Sequence, residues 1–293
     1  MSDSQTVLDF YSRPGPMTDP GEHAALFDAL PGDIGELAKV VQGLLLHEHW
    51  AGAYGQTLSS ERRDEVHLRS VKAMLDQIIG HAQRPLGEPR APEDRLIGNC
   101  RDFSLLTTAI LRRHGAPARA RCGFAAYFEP GRFVDHWVCE VWNGATQRWM
   151  MVDAQLDELQ CDRLKPDFDV LDTPRDRFLV AADAWTACRT GEADPKAFGI
   201  FDMWGLWFIA GNLLRDTAAL ARTEMLPWDV WGAMSASDEE LDAERLALFD
   251  TVAALGQEGD DAFDERAALY AAVDRLRVPD TVFNAIRGRP EAV

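Results

Sequence analysis

A helix that is followed at once by strand-like segments is the feature that most constrains the fold of this chain. Apolar residues recur at helical spacing between Asn99 and Arg113. Gly115 suits the position just after a helix, and Pro117 prevents the helix from continuing. The sequence therefore predicts one helix over residues 99–113 with a sharp end.

The residues after this helix alternate in the manner of β-strands. Three segments rich in Val, Phe and Trp predict strands over residues 118–128, 132–142 and 148–153. Asn143-Gly144, between the last two segments, is a hairpin signal. Because helical patterns precede and follow these strands, we expect an α+β fold in which the helix of residues 99–113 packs on an antiparallel sheet.

Helical periodicity dominates the flanking parts of the chain. The pattern predicts helices over residues 33–54, 60–80 and 238–255, whereas residues 1–20 read as an arm. The aromatic segment 201–232 has two interpretations, a helical layer that packs on the sheet or a lid over a substrate pocket.

These patterns divide the chain into three consecutive parts. We expect an N-terminal helical part of the core over residues 1–90 and a catalytic core over residues 91–183. A Trp-rich helical extension is expected over residues 184–293.

The composition limits the partners of the chain. Apolar residues make up 46% of its 293 residues, which is enough for a sizeable core, and the formal net charge is −18. This acidity argues against nucleic acid and against anionic membrane surfaces. The N-terminal residues lack the pattern of a secretory signal, and no run of 18 apolar residues occurs. We therefore expect a cytoplasmic protein.

The cysteines and histidines give no metal-binding pattern. The five cysteines are odd in number and show no CxxC spacing, so neither a disulfide framework nor a zinc ribbon fits. In the segment His47-Glu48-His49, two histidines at this spacing on a helix would diverge, and a solvated helix face is the preferred interpretation. No metal or other cofactor is expected.

Three residues have the chemistry of a thiol active site. Cys100 stands where a loop becomes a helix, and the backbone N–H groups and dipole of a helix N-terminus favour a thiolate. His136 lies in one predicted strand and Asp153 ends the next one. A hairpin loop of even length would place these two side chains on one face of the sheet. Each residue alone has a structural explanation, but together they form a nucleophile, a base and an orienting carboxylate.

Three motifs occur in a fixed order around these residues. They are Gly98-Asn99-Cys100, His136-Trp137-Val138-Cys139-Glu140 and Trp149-Met150-Met151-Val152-Asp153. In this order and spacing they resemble the GxC helix, the His-Trp strand and the W…D strand of the transglutaminase-like superfamily. The segment 111–119 resembles the stretch that links the first two motifs in that family, and the resemblance extends over residues 95–160.

The resemblance implies a papain-like core and catalysis by Cys100, His136 and Asp153 through an acyl-enzyme. The expected substrate is a small molecule, a peptide or a carrier-bound acyl group with an amide, peptide or thioester bond. The acyl group would pass to water or to an amine acceptor. Some members of the superfamily only bind their ligands, so the alternative is a non-catalytic transglutaminase-like binding module.

Further residues are expected to bind the substrate because they adjoin these motifs. Asn99 and Trp137 neighbour the predicted nucleophile and base. Asp102 could contact a substrate amine, although a carboxylate in the first turn of a helix also suits the helix dipole. Gln42 and Trp50 are candidates for the second oxyanion donor by residue type alone.

Overall fold

The computed structural model describes residues 4–293, and its helices alternate with short strands along the chain. The α-helices are α1 (Ser4–Tyr11), α2 (Ile34–Leu44), α3 (Ser60–Arg63), α4 (Val71–His81), α5 (Cys100–Arg113), α6 (Glu158–Leu164), α7 (Ala181–Thr190), α8 (Leu206–Leu220), α9 (Ala243–Gln257) and α10 (Phe263–Ala272). The strands are β1 (Leu45–His47), β2 (Leu96–Gly98), β3 (Ala118–Ala125), β4 (Phe133–Asn143), β5 (Arg148–Val152), β6 (Phe178–Val180), β7 (Phe198–Ile200), β8 (Met203–Trp204), β9 (Asp229–Val230), β10 (Thr281–Asn284) and β11 (Arg289–Ala292).

The largest sheet has the order β6-β3-β4-β7-β8, and β5 pairs with β4 beside this path. Strand β5 runs antiparallel to β4, whereas β7 runs parallel to it. Strands β1 and β2 form a separate parallel pair, and β9 to β11 form a third sheet. The predicted α+β class is confirmed, with parallel pairs added to the antiparallel sheet.

Contacts between Cα atoms group the described residues into two units. One unit comprises residues 4–8, 121–137 and 174–293, and the other comprises residues 9–120 and 138–173. The chain therefore passes from one unit to the other within α1, within β3, within β4 and between residues 173 and 174. The predicted division of the chain at residues 90 and 183 stays a prediction. It concerns consecutive segments, whereas each of the two units combines segments that are separated in the sequence.

The predicted helix over residues 33–54 is wrong in its second half. Helix α2 begins as expected, since the Asp33 side chain accepts hydrogen bonds from the N–H groups of Gly35 and Glu36. It ends at Leu44 because the next three residues, Leu45–His47, pair with β2. This pairing joins segments that are far apart in sequence, so helical periodicity did not reveal it.

The predicted helix over residues 60–80 is also divided. A short helix at Ser60–Arg63 and a 3-10 turn at Asp64–His67 precede α4, which the Ser70 hydroxyl caps by accepting from Ala73 N. The break is stabilised from another part of the chain. The guanidinium group of Arg101 donates to the carbonyl oxygens of Leu68 and Arg69, which a continuous helix would use internally.

The segments on either side of the predicted core also differ from expectation. The described part of the predicted arm contains α1, in which Val7 and Tyr11 are buried, and residues 1–3 lie outside the described residues. The predicted final helix is α9, displaced toward the C-terminus. The sheet β9-β10-β11 was not predicted, because its strands are short and two of them come from the last residues of the chain.

Helix α5 and strands β3 to β5 confirm the helix and the three strands that the sequence predicts between residues 99 and 153. Nearly all of α5 is buried, and its side-chain hydroxyls bond within the unit, as when Thr108 Oγ1 donates to Cys139 Sγ at 3.3 Å. In the same unit Arg119 lies over the Trp149 ring at 4.0 Å and pairs with Glu140 at 2.6 Å. The sheet is therefore fixed by buried charges as well as by apolar contacts.

Helix α8 forms the centre of the unit that contains residues 174–293. It is buried along most of its length, while Trp204 and Trp207 near its start are half-buried. From α8, Asp216 accepts hydrogen bonds from Arg121 Nε, Arg121 Nη2 and Cys122 N at 2.9–3.0 Å. This carboxylate anchors β3 to the helix.

Across residues 4–293, the helices are all too short or too polar to cross a lipid bilayer.

Replacing Asp216 by Ala should lower the free energy of unfolding by about 3–5 kcal/mol, because the Arg121 guanidinium would stay buried without its partner. Urea denaturation followed by tryptophan fluorescence measures this change. The control is Asp274→Ala, which removes an exposed ion pair with Arg277 and should cost under about 1 kcal/mol. Equal effects of the two substitutions would contradict the anchoring role of Asp216.

Candidate active site

The loop that carries Cys100 is fixed by the strand before it. Strand β2 pairs with β1 so that Gly98 stands beside His47. At the middle residue of β2, Ile97 N donates to Glu65 Oε2 at 2.8 Å, and Glu65 itself is buried and paired with His81. The residues that enter α5 therefore start from a rigid position.

Cys100 is the first residue of α5, and a capping box surrounds it. Asn99 Oδ1 accepts from Arg101 N at 3.0 Å, and Asp102 Oδ2 accepts from Asn99 N at 3.0 Å. The Cys100 side chain is 8% exposed. A thiol in this position faces the positive end of the helix dipole, which favours its ionised form.

Gly98 is required by the same cap. A Cβ atom added to Gly98 would lie 3.0 Å from Asp102 Oδ2 and 3.2 Å from Asp102 Cβ. A larger residue would therefore press on the carboxylate that closes the capping box. This contact gives a physical reason for the glycine in the segment Gly98-Asn99-Cys100.

Both oxygens of Asp102 are engaged within the protein. Oδ2 closes the cap, and Oδ1 accepts from Arg101 Nη1 at 2.9 Å in a fully buried ion pair. Burial raises the pKa of Asp102, while Arg101 opposes that rise. These contacts give Asp102 a structural role in the first turn, and its contact with a substrate stays a prediction.

The segment His47-Glu48-His49 does not lie on a solvated helix face, and that interpretation is wrong. His47 ends β1 with 8% exposure, and Glu48 begins the 3-10 segment Glu48–Tyr54. Burial and the neighbouring Asp102 raise the pKa of Glu48 to about 7, with a smaller opposing effect from Arg63. A three-residue strand with a distant partner leaves no periodic signal, so sequence reasoning missed this arrangement.

His136 lies in the part of β4 that belongs to the other unit. It is 1% exposed, and its imidazole contacts the rings of Phe128 and Tyr127 at centroid distances of 4.9 and 6.0 Å. The Phe178 ring lies near the same imidazole, with a distance of 6.2 Å between the ring centroids. The imidazole thus stands in a largely aromatic environment.

The neighbours of His136 point to the opposite face of β4, as the alternating pattern predicts. Asp135 Oδ1 accepts from Asn212 Nδ2 at 2.7 Å. Burial raises the pKa of Asp135, and the nearby Arg215 opposes that rise. Trp137 is fully buried, and its Nε1 has no hydrogen-bond partner among residues 4–293. The role of Trp137 in substrate binding stays a prediction.

Asp153 follows the last paired residue of β5. The ladder pairs Asn143 with Arg148 and ends at Cys139 and Val152, so the loop between the paired residues has four members. The loop therefore has an even length, as expected if His136 and Asp153 lie on one face of the sheet. Asp153 is buried, and its Oδ1 accepts from Gln155 N at 3.1 Å.

The segment after Asp153 is held by polar contacts from α2 and its neighbours. Gln42 Nε2 donates to the carbonyl oxygens of Ala154 and Leu156 at 3.2 and 3.4 Å. The amide of Gln42 is therefore occupied in fixing this segment. Trp50, the other suggested oxyanion donor, is half-buried with the Arg163 guanidinium 5.9 Å from its ring.

One group of side chains has the spacing of a metal site. Single ligand atoms of Glu22, His23 and Asp76 lie within 4.8 Å of one another near the surface. The ammonium group of Lys72 already pairs with Glu22 at 3.1 Å and with Asp76 at 3.0 Å. A lysine thus supplies the positive charge that these carboxylates attract.

One segment of the chain matches a known protein family. Residues 71–154 match the model of the transglutaminase-like superfamily, and the matched segment contains Cys100, His136 and Asp153. Among solved structures the chain is similar to a proposed cysteine protease from Cytophaga hutchinsonii, with 17% sequence identity and a TM-score of 0.37. That alignment covers 62% of this chain and 50% of that chain. No curated protein matches. The family match supports a cysteine-dependent enzyme as the general class.

Replacing Asn99 by Ala should lower the free energy of unfolding by about 1 kcal/mol, because the N–H group of Arg101 would lose its cap. Asn99→Ser is the matched control, since serine also accepts this hydrogen bond and should retain most of the stability. Urea denaturation of the two variants measures the difference. A serine variant as unstable as the alanine variant would contradict the capping role.

Proposed function

Because residues 71–154 of this chain belong to the transglutaminase-like superfamily, we propose that the protein transfers an acyl group through a covalent intermediate on Cys100. The substrate would be an amide, a peptide or a thioester, and the acyl group would pass to water or to an amine. Both outcomes use the same nucleophile and differ in the group that resolves the intermediate.

The position of Cys100 at the first residue of a capped, buried helix is the observation that carries this proposal. The cap satisfies the N–H groups of Asn99 and Arg101. The helix dipole stabilises a thiolate at this end, and an ionised thiol is the reactive form of cysteine.

His136 and Asp153 are proposed as the base and its orienting carboxylate. If the β4–β5 ladder continues by one pair, Val138 stands opposite Asp153. His136 is two residues before Val138 in the same strand, so it lies on the same face. Diagonal neighbours on one face of an antiparallel pair are within reach of each other when a side chain is long or aromatic.

The proposed reaction begins when His136 accepts the proton of the Cys100 thiol. The thiolate attacks the carbonyl carbon of the substrate, and the backbone N–H group of Cys100 would donate to the developing oxyanion. His136 then protonates the leaving group, and the acyl-enzyme forms. Water or an amine attacks this intermediate while His136 takes its proton, which releases the product and restores the thiol.

The rings around His136 suit this role. Phe128 and Tyr127 are half-exposed and could exclude water from the imidazole when a substrate binds. The orienting carboxylate would stabilise the imidazolium that forms when His136 accepts a proton.

Cys100 should react with iodoacetamide at pH 7 at least about tenfold faster than Cys161 or Cys188. Burial raises the pKa of both reference thiols, that of Cys188 to about 12, so little of either is ionised at neutral pH. Mass spectrometry of the alkylated peptides over pH 5–9 measures all three rates in one sample.

His136→Ala should slow the alkylation of Cys100 at pH 7 by about tenfold or more, because the thiolate would lose its imidazolium partner. The matched control is His23→Ala, which removes an imidazole that pairs with Asp76 and should leave the rate unchanged. If Cys100 reacts no faster than the reference thiols, and His136→Ala changes nothing, the protein is a binding module that retains the fold without the activity.

A further inference from the structure

The carboxylate of Glu48 lies near the start of α5 and has no role in the reaction proposed above. Glu48 directly follows His47, and His47 is paired with Gly98 two residues before Cys100. A Cβ atom added to Gly98 would lie 3.0 Å from Asp102 Oδ2, so the Asp102 carboxylate also lies beside this strand pair. The Glu48 side chain is 18% exposed, so it is mostly removed from water but still open to a ligand.

The charge of Glu48 is poorly compensated within residues 4–293. Its ion-pair contact is with His49, at 4.0 Å between Oε1 and Nε2. Burial and Arg63 lower the pKa of His49, which weakens this contact as an ion pair. Arg63 favours the charged form of Glu48, but burial and Asp102 disfavour this form more strongly. A half-buried carboxylate without a strong partner beside a reactive thiol is typical of a ligand-binding group.

A second, independent group at the same place also has an unfilled hydrogen bond. Asn99 is 4% exposed, and its Oδ1 is used in the helix cap. Its Nδ2 is buried and donates to no atom in the described part of the chain. Buried amide groups normally have partners. An oxygen atom of a bound ligand would complete this one.

We propose that Glu48 binds a positively charged group of the substrate, either a primary ammonium or a guanidinium group. The inference rests on the proposed function, because it takes Cys100 to be the site of attack. The substrate would then be a cationic amide, peptide or ester. Its charged group would neutralise Glu48 and relieve the repulsion between Glu48 and Asp102.

This charge belongs to the acyl donor and not to an attacking amine. An amine must lose its proton before it attacks the acyl-enzyme, whereas a neighbouring carboxylate stabilises the protonated form. Glu48 would therefore slow an amine acceptor bound next to it. The same carboxylate would increase the affinity for a donor whose charge persists through the reaction.

Charged thiol reagents test the proposal without knowledge of the natural substrate. The 2-aminoethyl and 2-sulfonatoethyl methanethiosulfonates carry opposite charges, and each forms a mixed disulfide with the Cys100 thiolate and releases methanesulfinate. Because both react with the same thiolate, the ratio of the two rates does not depend on the ionisation of Cys100. The ratio therefore measures the electrostatic potential at the sulfur.

Glu48→Gln should lower this ratio of rates by about tenfold at low ionic strength, because the cationic reagent loses its attraction. The matched control is Glu36→Gln, which removes the same charge from an exposed ion pair with Lys39 and should keep the wild-type ratio. A ratio that Glu48→Gln leaves unchanged overturns the cation site. Reactivity with neutral iodoacetamide separately decides whether Cys100 is activated, so the two proposals can fail independently.

The wild-type ratio should also fall as the pH decreases from 8 to 6. Glu48, whose pKa is about 7, is charged above that pH and neutral below it. Within residues 4–293, His49, Arg63 and Asp102 act on this carboxylate, and Arg101 pairs with Asp102. They are present in Glu48→Gln as well, so the difference between the two proteins isolates Glu48. If Glu48→Gln does not fold, a wild-type ratio at pH 8 that is no greater than the ratio measured for free N-acetylcysteine overturns the proposal.

Discussion

The capping box at the start of α5 holds together the part of the chain on which the proposed chemistry depends. The Asp102 side chain accepts from the N–H group of Asn99, and the Asn99 side chain accepts from the N–H group of Arg101. Gly98 leaves the space that the Asp102 carboxylate needs. The Arg101 side chain extends this cap by pairing with Asp102 and by ending the helical segment before Ser70. A change in any of these residues would move the thiol as well as weaken the helix.

Buried charges recur as the means by which distant segments are joined. Arg119 and Glu140 connect β3 with β4, while Arg121 and Asp216 connect β3 with α8. A buried ion pair contributes little net stability, but it strongly penalises arrangements in which one partner is left alone. Such pairs therefore select one register of the strands, which apolar contacts alone would specify less strictly.

Sequence patterns of neighbouring residues made the central part of the fold predictable. The incorrect predictions concern segments whose structure depends on contacts with residues far away in the sequence. Helix α5 carries its own cap and end residues, and β4 and β5 are joined by a short loop. Residues that are close in sequence therefore determine the helix and the strand pair. Strand β1 exists only because it pairs with residues 96–98, and the apolar run before it continues the helical pattern of α2. The importance of Glu48 depends on that pairing, so it could not be predicted from its own segment.

The alternation of β5 limits how this protein can change over evolution. Asp153 follows directly after a strand whose register is fixed by five residue pairs with β4. A single-residue insertion within β5 would turn the following carboxylate to the opposite face of the sheet, unless a bulge absorbed it. Two inserted residues would keep its face but lengthen the strand. We therefore expect descendants of this chain to accept length changes in the loop of residues 144–147 and to resist them in β5.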